Sequence, residues 1–72
     1  VDFYVPQERM AIQASFDIND PETKEREVSA LTALNKAFPL QQALIITRDT
    51  EMQIERDGLN IEVIPIWKWL TR

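Results

Sequence analysis

The sequence predicts an α/β fold: a mixed sheet of four or five strands with a central βαβ unit and one long helix on one face. Three observations predict it. The segment containing Ala11, Ile12, Ala14 and Phe16 reads as an apolar strand. A capped helix opens at Asp20-Pro21, and a second apolar strand, Ala43-Leu44-Ile45-Ile46, follows it. Strand, crossover helix and strand make a parallel pair, and such crossovers are right-handed in about 98% of cases.

Each element has its own local signal. Residues 2–5 read as a short strand ended by Pro6, and Gln7-Glu8 as a tight turn. Arg9 to Phe16 reads as the second strand, so the first two should form an antiparallel hairpin. In that second strand Ile12, Ala14 and Phe16 point one way and Ala11, Gln13 and Ser15 the other. The first set is expected to be core, and the second a small, polar face.

Asp20 suits an N-cap, Pro21 the first helical position and Glu22 the first turn. The helix should run to about Phe38, where Pro39 stops it. Val28, Leu31, Leu34 and Phe38, with Ala30, Ala33 and Ala37 beside them, form a stripe at spacings of three and four that faces the sheet. Lys24, Glu25, Glu27, Asn35 and Lys36 are left to water. At roughly 1.5 Å per residue the helix is about 25 Å long, enough to cross back over the sheet. Gln42 to Thr47 reads as a central strand, because its unbroken Ala-Leu-Ile-Ile run suits burial on both faces. Met52 to Glu55 reads as a short edge strand and Asp57-Gly58 as a hairpin turn. Leu59 to Ile64 alternates as a last strand, and Ile66 to Leu70, after Pro65, reads as one turn of helix. The strands Arg9–Phe16, Gln42–Thr47 and Leu59–Ile64 should lie parallel to one another.

Composition narrows the function. The chain has 72 residues, one domain's worth, with no Cys and no His. That excludes disulfides, Cys/His zinc sites and nucleophiles activated by His. Its single Gly excludes a Gly-rich phosphate loop. A net charge of −4 leaves no visible basic face, so nucleic acid is not an expected partner of this stretch alone. The longest apolar runs are far too short to span a bilayer. The absence of Cys fits a cytoplasmic protein. The chain opens inside a strand-like segment, Val1-Asp2-Phe3-Tyr4-Val5, without an initiator Met, which reads as a piece of a longer protein.

Three clusters invite a site. Asp17, Asn19, Asp20 and Glu22 crowd one loop, but they lack the central Gly of an EF-hand and Pro21 interrupts them, so capping and solvation are expected. Arg48, Asp49 and Glu51 follow the third strand, where open α/β sheets often place ligands. A solvated loop is the simpler reading. Trp67 and Trp69 flank Lys68 and could stack on bases. In an acidic domain they are expected to pack the terminal turn onto the sheet.

The order hairpin, crossover helix, strand, with Asp2 at the start, resembles the back half of a PD-(D/E)xK nuclease core. That resemblance implies a truncated restriction-endonuclease-like core with a metal site at Asp2, Gln13 and Ser15. Here Gln13-Ala14-Ser15 stands where (D/E)xK belongs. Gln13 brings no carboxylate charge to a hard cation and Ser15 no ammonium, so the site is degenerate. The chain also resembles the C-terminal domain of a prokaryotic family of AAA-type ATPases of unknown function. The residues that carry this likeness are Val1-Asp2-Phe3, Ile12-Gln13-Ala14-Ser15-Phe16, Thr23 to Glu27 leading to Ala30-Leu31, Leu44 to Asp49, and Ile64 to Leu70. It implies an upstream ATPase domain, with its ATP and Mg, as cofactor-bearing partner, and a strand and helix before Val1. The fragment itself is then expected to hold no cofactor and to act as a non-catalytic interaction or regulatory domain. The alternative is a metal-dependent nuclease domain whose missing ligands lie upstream or on another chain. An unpaired sheet edge at residues 2–5 would also favour a weak homodimer, opposed by the charge of each copy.

Overall fold

The computed structural model describes residues 2–71. Val1, which opens the first of the matching motifs, lies outside the described residues. Five strands form one sheet in the order β1-β2-β3-β5-β4. They are β1 (Phe3–Val5), β2 (Met10–Ala14), β3 (Gln42–Thr47), β4 (Met52–Arg56) and β5 (Leu59–Pro65). Helix α1 (Pro21–Ala37) lies between β2 and β3 in the chain, and the short α2 (Ile66–Leu70) follows β5 directly. The class and the parallel centre are as the sequence predicts. β2 pairs with β3 in parallel, Ala11 beside Ala43 and Gln13 beside Ile45. β3 pairs with β5 in parallel, and β1 and β4 close the edges antiparallel.

Local chemistry explains the boundaries. Asp20 Oδ2 accepts from Thr23 N at 3.1 Å and from Thr23 Oγ1 at 2.7 Å, satisfying a donor that the first helical turn leaves free. Asp57 and Gly58 have φ of 52° and 81°, the two left-handed positions of a type I′ hairpin. Between β1 and β2 the chain makes a 3₁₀ turn over Pro6–Glu8. Arg9, at φ 49°, closes it by donating its N–H to Pro6 O at 3.2 Å.

The expected core side of β2 is not the side that packs under α1. The core side of β2 is the Ala11 and Gln13 side: Ala11 is 0% and Gln13 5% exposed, whereas Phe16 is 79% exposed. Alternation separates two faces of a strand but does not say which one the helix covers. Ala11 and Ala43 lie side by side, and their small side chains leave room for Val28 and Leu31 of α1 in a cluster with Ile45, Ile61 and Val63. Phe16 lies beyond the end of β2, which stops at Ala14.

The loop before α1 is less polar in effect than in sequence, since Ile18 is fully buried in the same cluster. The helix stripe is shorter than predicted. Val28, Leu31 and Thr32 are buried, Leu34 is partly so, and Phe38 is exposed with its ring centroid 5.9 Å from that of Tyr4. Three residues assigned to water have partners, Glu25 among them through Arg56 Nη1 at 2.9 and 3.0 Å. Asn35 Oδ1 accepts from Leu40 N at 2.8 Å, and Glu27 meets Gln13. Among the described residues no helix is long and apolar enough to cross a membrane.

Candidate functional site

The polar pocket lies on the α1 side of β2. Asp2, Gln13, Ala14, Arg26, Glu27 and Ala30 line a cavity of about 240 Å³. Asp2 precedes β1, and its Oδ2 accepts from Ala14 N at 2.8 Å. The side chain thus extends the β1–β2 pairing by one bond beyond the last residue pair, Phe3 with Ile12. Gln13 points under α1, where its Nε2 donates to Glu27 O at 3.3 Å and to Glu27 Oε2. Its Oε1 is buried without a hydrogen-bond partner.

The structure therefore brings Asp2 and Gln13 to one pocket and adds Arg26 and Glu27. Ser15 lines a different cavity, of about 130 Å³, with Phe16, Ile46, Thr47 and Ile66. Its N–H donates to Ile46 O at 2.9 Å. Glu27 had a usable signal in the sequence: it stands four residues before Leu31, on the flank of the buried stripe, and so borders the sheet.

The chemistry of the pocket is limited. An amide contributes an oxygen but no charge, and Gln13 Oε1 is closed off from solvent. Among the described residues no group of three His, Cys, Asp or Glu side chains is placed to hold a metal ion. The acidic loop before α1 serves as structure. Asp17 Oδ1 accepts from Asn19 N at 3.2 Å and Asn19 Nδ2 donates to Thr50 at 3.3 Å. Hydrogen bonds from the Thr23 hydroxyl and backbone N–H hold the Asp20 carboxyl below its ordinary range. After β3, Thr47 Oγ1 donates to Thr50 O at 2.8 Å and accepts from Thr50 N at 3.0 Å, pinning the turn. Glu51 pairs with Lys68, and the Arg48 guanidinium lies 5.8 Å from the Phe16 ring centroid.

The larger feature is on the opposite face of the sheet. Phe3, Val5, Ile12, Ala14, Ile46, Ile66 and Trp69, with Asp2 at the margin, line an apolar groove of about 380 Å³. The strands supply its floor and α2 one wall. Trp69 alone of the tryptophan pair packs there; Trp67 is 61% exposed, contrary to the expectation that both fasten the terminal turn. A five-residue helix presents one side to the sheet, and residues two apart cannot both occupy it. Phe3 is 67% and Leu70 68% exposed, so large apolar side chains remain in water around the groove.

No protein family matches the chain, nor does any curated protein or solved structure.

Proposed function

We propose that this chain is a non-catalytic interaction or regulatory domain of a larger ATP-binding protein of the AAA type, derived from a nuclease-like fold. The observation that carries the reading is the apolar groove beside β1, β2 and α2, around which Phe3 is 67% and Ile66 47% exposed. β3 is apolar on both sides, Ala43 and Ile45 towards α1, Leu44 and Ile46 away from it. Parallel strands of this composition are ordinarily covered by a layer on each face; Leu44 and Ile46 are themselves buried, but Phe3 at the edge of that face and Ile66 of α2 are left in water. The polar pocket supports the non-catalytic part of the reading. At the positions where the nuclease resemblance needs a carboxylate and an ammonium stand Gln13 and Ser15, and Asp2 is engaged by Ala14 N. The ATP-binding part rests on the resemblance, which supplies ATP and Mg from an upstream domain that is also the domain's partner.

The native-length protein tests this. It is expected to hydrolyse ATP, to retain that activity in Asp2→Ala, and to leave double-stranded DNA intact in the presence of Mg or Mn. Metal-dependent cleavage that Asp2→Ala abolishes would establish the nuclease alternative instead. A native reading frame without an ATP-binding domain would remove the larger-protein part of the reading.

A further inference from the structure

The apolar groove continues into the smaller cavity at the carboxyl ends of the parallel strands, and the two share Ala14, Ile46 and Ile66. β2 leads out to α1 on one face of the sheet and β5 to α2 on the other, so the outgoing chains part here. Open α/β sheets present ligands at such a place. At this end the lining turns polar. Ser15 borders the cavity, and its hydroxyl makes no hydrogen bond among the described residues. The Arg48 guanidinium sits over the Phe16 ring, 5.8 Å from its centroid, and makes no ion pair among the described residues. A ring contact of this kind holds the side chain in place and leaves its N–H donors for an acceptor, and a planar fork of donors suits a carboxylate. It also gives a purpose to an aromatic side chain, Phe16, that stands largely exposed beyond a strand end.

The body of the groove is apolar and of ligand size. Its volume of about 380 Å³ lies at the small end of the roughly 300–1,000 Å³ that ligand pockets occupy. The floor follows β2 from Met10, which pairs with Val5, to Ala14, a rise of about 13 Å. An extended chain of roughly eight to ten carbons, with bonds of about 1.5 Å, fits within that length. Phe3 and Val5 flank it on the β1 side, Ile66 and Trp69 on the α2 side. We propose that the groove binds a medium-chain carboxylate, with its acyl chain along β2 between β1 and α2 and its carboxylate at Arg48 and Ser15. Asp2, at the β1 margin, is itself a carboxylate and accepts from Ala14 N, so an anionic head is driven to the Arg48 side. The net charge of −4 opposes an anion at long range, but salt screens it beyond about 8 Å at physiological ionic strength, whereas the fork contact is short-range and charge-assisted. This inference goes beyond the interaction reading above, because it stands on the described residues alone and is indifferent to an upstream domain.

The test titrates the 72-residue chain at neutral pH with octanoate, with 1-octanol as the uncharged chain and with acetate as the head alone. Octanoate is expected to bind saturably, to alter Trp fluorescence through Trp69, and to shift the amide resonances of Ile12, Ala14, Ser15, Ile46 and Arg48. Octanol should bind at the same place at least about tenfold more weakly, since it lacks the charge-assisted bonds to Arg48. Acetate should leave the groove resonances unmoved. Arg48→Gln should bring octanoate down to the octanol level and leave octanol itself unchanged. Ile66→Ser, at an exposed position on the rim, should weaken both; circular dichroism checks that each variant is folded. Equal binding of octanoate and octanol, a preference that survives Arg48→Gln, the same shifts with acetate, or no saturable shift at millimolar octanoate would overturn the proposal. So would shifts that follow protein concentration without ligand, which would seat a second copy in the groove. None of these outcomes bears on ATP hydrolysis or DNA cleavage, so the interaction reading stands or falls by its own test.

Discussion

Leu31→Ala and Phe16→Ala together test the assignment of the two sheet faces. Leu31 is fully buried in the cluster with Ala11, Ile18, Val28 and Ile45. Removing its branched end deletes three carbon groups, roughly 2.4 kcal/mol of transfer free energy at about 0.8 kcal/mol each. The cavity left behind adds to this, and buried Leu→Ala changes cost about 3–5 kcal/mol in all. A chain of this length has about 4–11 kcal/mol of stability in total, so the variant is at the edge of folding. With a urea dependence near 1 kcal/mol per M, the midpoint should fall by about 3 M or the transition should vanish. Phe16 is the larger residue, yet it is largely exposed, with the Arg48 guanidinium 5.8 Å from its ring centroid. Phe16→Ala should cost no more than about 1 kcal/mol. Urea denaturation followed by far-ultraviolet circular dichroism measures both. A Phe16→Ala loss equal to or above that of Leu31→Ala would refute the assignment of faces.

Further outcomes follow from particular residues. Gly58→Ala should cost about 1–2 kcal/mol through backbone strain alone, since φ is +81° and nothing lies within 4 Å of an added Cβ; Gly58→Asn should recover part of it, read from the thermal midpoint. Gln13→Met removes a buried oxygen without a partner but also the bonds that Gln13 Nε2 donates to Glu27, and should destabilise by about 1–2 kcal/mol, whereas Gln13→Glu sets a carboxylate against Glu27 and should destabilise further at neutral pH; denaturant midpoints separate the two. The lowered Asp20 pKa means that its cap stabilises the fold above the ordinary carboxylate range, and that this contribution is lost as pH falls through the lowered value. Asp20→Asn should therefore flatten the acid limb of a stability–pH curve, and an unchanged limb would show that the cap is not linked to folding. Among the described residues no strand pairs with the outer side of Phe3–Val5, so weak concentration-dependent association is expected in sedimentation and should disappear in Tyr4→Pro, which removes a backbone donor.

The elements themselves were legible in the sequence because their signals are local. Asp20-Pro21 marks the start of α1 and Pro39 its end, Asp57-Gly58 specifies a turn with two left-handed residues, and the Ala-Leu-Ile-Ile run marks a strand enclosed by neighbours. From those boundaries the parallel order of β2, β3 and β5 follows. The side of the sheet that α1 covers was not legible. Both sides of β2 carry apolar residues, and the choice depends on Ala11 and Ala43 meeting across two strands separated by the whole helix. The meeting of Gln13 with Glu27 and the burial of Ile18 depend on the same non-local packing. Tertiary structure decided these because each is a matter of volume and distance between segments remote in the chain, which no window of sequence contains.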